Sequence, residues 1–360
     1  MKKVLIVFNH PAPYKVHLFN ELAKSLDLTV IFERSQNRNR SNGFYLKDEF
    51  NFKLAKVHGL CVGDENFISS GVKNHIKNNK YDLIVMNGYS QFAEMKAIRY
   101  MQKHNIPYVL FINGGIIKTS ECSWKKNIKT KYISRAQYYL SPDEESDKYL
   151  VHYGADKNKI FNYPYSTIYE NEILSKKPDN LNELREQFNL VGKRIYISAG
   201  QFIKRKNYEV LIRSWNDMPL DHHLYLFGDG KLKNHYKKII EELSLKNVHL
   251  QGFLPKRELL KTMSVSDVFV FPSHEDIYGH VINEALSQGL PVISNDNVNS
   301  AKKLLNGING VMTNDFSAKN ILRLSEKLLT PTSFEACIKT AKKNTIESMS
   351  SVIGKIFEEK

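Results

Sequence analysis

One stretch of this 360-residue chain concentrates residue types that do chemistry. From Phe271 to Ile293 it reads FPSHEDIYGHVINEALSQGLPVI. The apolar run ending at Phe271 predicts a strand, followed by a turn and a helix from about Gly279 to Ser287. Gly289 falls just past the helix, where a left-handed cap is common, and Pro291 opens the next strand. Gly279 lets a ligand approach the backbone closely, and the N–H groups of Gly279, His280 and Val281 would point at an anion. A diphosphate fits such a helix terminus without a metal ion. Asp276 lies in the turn, where a carboxylate accepts hydrogen bonds from sugar hydroxyls. Glu284 lies more than one turn inside the helix, suited to a paired hydroxyl such as a ribose diol. Either carboxylate alone reads equally as a helix cap or a solvated face residue; the whole string does not.

The elements that must position these residues alternate between short apolar runs and amphipathic stretches, the rhythm of parallel sheets covered by helices. In the first half, strands are expected at 4–8, 28–32, 83–87, 108–112, 138–141 and 160–163, with a helix beginning near Tyr14 that carries Val16, Phe19 and Leu22 at helical spacing. The rhythm restarts after Gly192, with strands expected at 194–199, 224–227, 248–251, 268–271, 291–294 and 310–312. The polar stretch around Lys176, Lys177 and Pro178 reads as a linker. The expected organisation is an N-terminal Rossmann-like domain over 1–168, a linker over 169–190, a C-terminal Rossmann-like domain over 191–340, and a last helix over 341–360 crossing back to the first domain. Two such doubly wound sheets imply a facing cleft, with ligands at the carboxyl ends of the strands. The sequence has no Walker phosphate loop and no GxGxxG fingerprint, which argues against P-loop NTPases and dinucleotide dehydrogenases.

Composition fits two packed domains: 42% hydrophobic and 25% charged residues exclude a disordered chain. No apolar run approaches the roughly 20 residues of a membrane span. The N-terminal run Val4–Phe8 stops at Asn9-His10-Pro11 without a small-residue cleavage site, so it reads as a first buried strand rather than a leader. Cys61, Cys122 and Cys337 are too scattered for a zinc cluster and odd in number, which fits a reducing cytoplasm. The formal net charge is +14, and residues 1–135 carry 22 Lys/Arg against 10 Asp/Glu, a net of +12. Such asymmetry suits an anionic partner, whether nucleic acid, a membrane surface or a phosphorylated acceptor, and equally a solubilising surface.

The 271–293 string resembles the signature of the retaining glycosyltransferases of family 4, of the type that builds bacterial envelope polysaccharide. Their signature runs from a Pro-Ser through an acid, a Gly three residues on and a Glu-Ala eight residues after the acid, to a Gly-x-Pro-Val-Ile; here Asp276 stands where most members have Glu. Ala199-Gly200-Gln201-Phe202-Ile203-Lys204-Arg205-Lys206 resembles the loop that gives an Arg and a Lys to the donor diphosphate; Lys206 matches the Lys, Gln201 stands at the Arg position, and Lys204 or Arg205 compensates. Phe227-Gly228-Asp229-Gly230 resembles the turn after the second strand, Gly252-Phe253-Leu254 the loop against the nucleobase, and Asn309-Gly310 the pair before the last strand. The first loop, Asn9 to Lys15, lacks the family's glycines, and Asn113 occupies the position of a His near the reaction centre, with His10 and His17 nearby.

The resemblance implies a GT-B fold and transfer of a sugar from a nucleoside diphosphate, UDP ahead of GDP, to an acceptor hydroxyl with retention. It assigns Lys206, Asp276 and Asn113 to catalysis. Donor binding falls to Gly200, Gln201, Arg205, Lys206, Gly228, Leu254, Asp276, Gly279, His280, Val281 and Glu284, with no cofactor and no metal. The acceptor side is basic: Lys118, Lys125, Lys126, Lys129 and Lys131 interleave with Trp124, Ile128 and Tyr132 at i, i+4 and i+8, one helical face. Arg34, Arg38 and Arg40 add to the same field. That pattern suits a lipid-linked glycan acceptor and docking on the anionic inner face of the cytoplasmic membrane, or equally a helix packing its apolar stripe inward. A nucleotide-sugar epimerase and a catalytically degenerate sugar-binding partner of another transferase are the rival readings.

Overall fold

The structure, a computed structural model, describes residues 1–34, 50–62, 66–118 and 120–360. It divides into two compact units, Met1–Tyr165 with Ile346–Lys360, and Ser166–Thr345.

In the first unit the main-sheet strands are β1 (Lys3–Phe8), β2 (Asp27–Phe32) and β3 (Lys53–Leu54), followed after a hairpin of β4 (Leu60–Val62) and β5 (Asn66–Ile68) by β6 (Leu83–Met86), β7 (Val109–Phe111), β8 (Tyr138–Ser141) and β9 (Ile160–Asn162). The helices are α1 (Pro13–Leu22), α2 (Gly71–Asn78), α3 (Phe92–Lys103), α4 (Ser123–Ile133) and α5 (Glu144–His152). Seven strands pair in the order β3-β2-β1-β6-β7-β8-β9, all parallel. Helices on both faces of a parallel sheet leave its strands no solvated side, which is why β1 and β6 read as unbroken apolar runs and are buried along almost their whole length. The order reverses between β1 and β6, the switch point at which doubly wound sheets hold ligands.

The second unit opens with α6 (Leu181–Gln187) and holds β10 (Arg194–Ala199), β11 (His222–Phe227), β12 (Val248–Gln251), β13 (Val268–Phe271), β14 (Val292–Ser294) and β15 (Gly310–Met312). Its helices continue with α7 (Tyr208–Ser214), α8 (Lys233–Glu242), α9 (Lys256–Ser264), α10 (His280–Ser287), α11 (Asn299–Leu304), α12 (Ala318–Leu328) and α13 (Pro331–Lys342). The parallel order is β12-β11-β10-β13-β14-β15, with its switch point between β10 and β13. Alternation along β10 feeds two cores: Ile195, Ile197 and Ala199 enter one, while Tyr196 enters the other with Trp215 and Tyr208.

One feature departs from the expected organisation. The polar 169–190 stretch is fastened to the second unit: Leu174 N–H donates to the Ser287 carbonyl at 2.9 Å, and Lys177 Nζ donates to the carbonyls of Ser264 and Ser266. Arg185 pairs with Asp267 at 2.9 Å. Its polar side chains satisfy backbone groups of the domain, a use that composition does not distinguish from solvation. The C-terminal helix, α14 (Ile346–Glu359), groups with the first unit, as the expected crossing back implies, but from Ile346 rather than 341. It buries Ile353 and Phe357, and the Phe357 carbonyl accepts from Lys2 Nζ at 2.9 Å.

Lys15 stands out in the first unit. It is fully buried, and its Nζ makes no hydrogen bond among the described residues. Four aromatic rings surround the nitrogen: Phe111 at 4.2 Å, Tyr165 at 4.7 Å, Phe8 at 5.2 Å and Tyr14 at 5.6 Å. Burial drives its pKa well below the usual lysine value. Aromatic faces return part of the lost hydration but not all of it. Lys15→Met, close in length and apolar, is therefore expected to stabilise the protein by about 1 to 3 kcal/mol in urea unfolding at pH 7. The unfolded chain binds this proton more tightly than the folded one, so wild-type stability climbs as pH rises from below the folded pKa towards 10.5. The advantage of the variant should shrink over the same range; a variant less stable than wild type at pH 7 would show that the cage favours the charged lysine.

Candidate functional site

The switch point of the second sheet gathers the most chemistry. β10 ends at Ala199 and β13 at Phe271, and the loops that follow them are stitched together: His274 N–H donates to the Arg205 carbonyl at 2.8 Å, Ser273 Oγ to the same carbonyl at 3.1 Å, and Arg205 Nη1 to the Glu275 carbonyl at 3.2 Å. Between these loops Lys206 Nζ forms an ion pair and hydrogen bond with Asp276 Oδ2, and Arg205 Nη1 lies 3.6 Å from the same oxygen. The side chains of Lys206 and Asp276 are only 10% and 14% exposed, whereas that of Arg205 is 44% exposed. Lys206 Nζ also sits 4.5 Å above the Phe271 ring.

The floor of this site is backbone. A Cβ on Gly228 would overlap the Gly200 carbonyl oxygen, and one on Gly230 would fall 2.6 Å from the Phe202 carbonyl oxygen, so the ends of β10 and β11 approach as only glycine allows. Gly279 has φ +94° and caps α10, whose first internal hydrogen bond runs from Ile282 N–H to the Gly279 carbonyl at 3.1 Å. The N–H groups of Gly279, His280 and Val281 therefore precede the helix's own acceptors, at the positive end of its dipole. His280 is half-buried, with its ring 5.0 Å from that of Tyr278. Gln201 is exposed, and Leu254 is half-buried against the core.

Glu284 forms a second group within the same unit. Its Oε1 accepts from Thr167 Oγ1 at 2.8 Å, and Lys256 Nζ bridges the Thr167 carbonyl (2.5 Å) and Glu172 Oε2 (2.6 Å). Burial raises the Glu284 pKa above the usual carboxylate value, against the opposing pull of Lys256 and the Thr167 hydrogen bond. Thr167 and Lys256 escaped the sequence reading: Thr167 is 117 positions from Glu284, and no local spacing links them.

In the first unit Asn113 follows β7. Its Nδ2 donates to Asn87 Oδ1 at 3.0 Å and its Oδ1 accepts from Tyr165 Oη at 3.1 Å. The basic helix α4 divides along its length. Tyr132 is fully buried, stacked on Tyr89 and capped by the Arg99 guanidinium at 5.6 Å, while Trp124 is 60% exposed and Ile128 39%. Lys118, Lys125 and Lys126 are exposed, and Lys125 Nζ lies 5.4 Å from the Trp124 ring. Lys129 does not join them: it pairs with Glu121 at 2.6 Å and donates to Tyr153 Oη at 3.0 Å. Nor does Arg34 contribute to a surface field, being buried near Glu33 and Glu94. Burial pushes Glu33 up to about 9 and Glu94 up to about 8. Arg38 and Arg40 lie outside the described residues. Among the described residues no helix is long and apolar enough to cross a membrane, and no group of three or more His, Cys, Asp or Glu is placed to hold a metal ion.

Comparison with known proteins agrees with this geometry. Residues 181–344 match the family model described as glycosyl transferases group 1. An uncharacterized glycosyltransferase of Methanocaldococcus jannaschii is 27% identical over 250 residues, 64% of this chain and 59% of that protein, so the match spans less than two thirds of the relative's length. The lipopolysaccharide glucosyltransferase WaaG of Escherichia coli K12 is 24% identical over 281 residues, 71% of this chain and 74% of that protein. Among solved structures, HepE of Anabaena in complex with UDP superposes with a TM-score of 0.81 at 17% identity, covering 99% of this chain and 100% of that one, which shows the shared fold. Residues 181–344 therefore form a glycosyl transferases group 1 domain, and the chain with its two Rossmann-like parallel sheets has the GT-B fold.

Proposed function

We propose that the protein transfers a hexosyl group from a nucleoside-diphosphate sugar, UDP ahead of GDP, to a hydroxyl of a glycan or lipid-linked acceptor in envelope-polysaccharide synthesis. The anomeric configuration is retained and no metal takes part. The observation that carries this reading is the Lys206–Asp276 pair at the switch point, set beside the glycine floor and the capped terminus of α10. The bond from the anomeric carbon to the diphosphate oxygen breaks with its electron pair left on the diphosphate. The acceptor oxygen bonds the same face of that carbon, and its proton passes to the departing diphosphate. Lys206 and the first N–H groups of α10 meet the growing negative charge with fixed positive partners, which need no reorganisation during the reaction. Glu284, held by Thr167, takes the ribose diol, and Leu254 lies against the base. The names of the relatives support the donor and the pathway: HepE was crystallised with UDP and with UDP-glucose, and WaaG is a lipopolysaccharide glucosyltransferase.

The exposed basic and aromatic turns of α4 suit a peripheral position on the inner face of the cytoplasmic membrane, where a lipid-linked acceptor would be reached. The test of the reaction is a panel of UDP and GDP sugars, with release of free nucleoside diphosphate as the readout. Hydrolysis or transfer is expected with a UDP-hexose, undiminished by EDTA. Activity abolished by EDTA and restored by magnesium or manganese would overturn the metal-free path, and formation of an isomeric nucleotide sugar would favour an epimerase.

A further inference from the structure

We propose that Asp276 serves as an internal counter-anion for the diphosphate site, making it discriminate in favour of the intact nucleotide sugar and against the bare nucleoside diphosphate. The inference rests on the donor reading above and concerns how that site selects and releases its ligands. Lys206, the best-buried cation of the two loops, is already partnered by a carboxylate, and Arg205 lies 3.6 Å from the same oxygen. The Asp276 backbone is placed by an isolated β-bridge with Val298: Asp276 N–H faces the Asn297 carbonyl at 3.4 Å and its own carbonyl faces Asn299 N–H at 3.5 Å. The loop that carries it is also stitched to the 205–206 loop through His274 N–H, Ser273 Oγ and the Glu275 carbonyl, which keeps the short Asp276 side chain beside Lys206.

A diphosphate binding at Lys206 must therefore share the cation with a neighbouring anion, and like charges in a poorly solvated site repel. A bare nucleoside diphosphate brings nothing to offset that repulsion. A nucleotide sugar does, because its hydroxyls donate to the carboxylate in charge-assisted hydrogen bonds. The same carboxylate thus weakens the product and spares the substrate. Once the sugar has left, repulsion between Asp276 and the diphosphate speeds departure of the product, and Lys206 returns to its partner.

Calorimetric titration of wild type, Asp276→Asn and Asp276→Glu with UDP, UDP-glucose, GDP and GDP-mannose tests this. For the nucleotide that wild type binds, Asp276→Asn is expected to tighten the bare diphosphate about tenfold or more, the effect of removing one close like charge. Its affinity for the nucleotide sugar should change far less, so the sugar-over-diphosphate preference collapses. Asp276→Glu keeps the charge and should keep the preference, which a merely structural role would not require. Diphosphate affinity unchanged or weakened in Asp276→Asn would overturn the inference while leaving the donor site standing. Failure of wild type to bind any of the four nucleotides would overturn the donor reading and this inference with it.

Discussion

Lys206→Ala is expected to lower turnover by about 100-fold or more, the cost of removing one preorganised donor from a developing oxyanion. The geometry makes the loss twofold in origin. On the proposed reading the variant lacks the cation that meets the leaving diphosphate, and it leaves the Asp276 side chain, only 14% exposed, with Arg205 as the remaining cation 3.6 Å away, itself 44% exposed. An under-compensated carboxylate then faces the diphosphate, so binding as well as catalysis should suffer. Glu284→Ala should weaken the nucleotide by about 10- to 100-fold through loss of charged hydrogen bonds to the ribose, with a smaller effect on the rate once the donor is saturating. Initial rates with a UDP-hexose and calorimetric titration with UDP check both. The double variant Lys206→Met/Asp276→Asn removes both charges and should regain part of the lost UDP affinity, because the repulsion leaves with the carboxylate. Wild-type affinity in Lys206→Ala and Glu284→Ala would sink the placement of the diphosphate and the ribose.

Much of this site is legible in the sequence because its parts are local. The acid, the glycine and the Glu-Ala pair sit on one strand–turn–helix unit, and the backbone geometry of that unit follows from residue type: Gly279 takes φ +94° as the cap that lets α10 begin, and Gly289 takes φ +63° at its end. The strands were legible for a similar reason. Strands buried on both faces read as apolar runs, and those expected at 194–199 and 268–271 match the observed bounds of β10 and β13; the expected 248–251 and 310–312 match the half-buried edge strands β12 and β15. The strand expected at 291–294 begins at Val292, since Pro291 has no N–H to donate.

What was not legible is non-local or not apolar. β3 is two exposed residues, and the β4–β5 hairpin buries Phe67 on one side while Leu60 and Ile68, paired across it, stay 73% and 46% exposed on the other. Such elements carry no long periodic signal. The pairing of Lys206 with Asp276 spans 70 positions and that of Thr167 with Glu284 spans 117, distances at which residue spacing says nothing. One member of the basic face of α4 is set by non-local partners too: Lys129 is fourth in a run of lysines, yet it pairs with Glu121 and donates to Tyr153.

Lys125 and Lys126 are exposed, as are the flanking Trp124 and Ile128, so the first two turns of α4, with the exposed Lys118 ahead of them in the chain, present apolar and cationic groups together. Reversible binding to vesicles containing anionic lipid is expected at low salt. Each lysine near such a surface contributes about 1 kcal/mol, so changing these three to Gln should weaken binding by about 100-fold. Trp124→Ala should weaken it further by removing the indole that sits at the headgroup level. Lys129→Gln supplies the contrast: its ammonium is already neutralised by Glu121, so vesicle binding should hardly move while the anchoring of α4 to Tyr153 loosens. Raising salt from 50 to 500 mM shortens the Debye length and should release wild type, because exposed charges are screened where buried pairs are not. Co-sedimentation of the four proteins with phosphatidylglycerol vesicles decides between the readings. Equal binding by wild type and the triple variant, or no binding by wild type at low salt, would make α4 ordinary fold surface and point to a water-soluble acceptor. A loss in Lys129→Gln as large as in the triple variant would instead mean that the fold of α4, rather than its charge, holds the membrane.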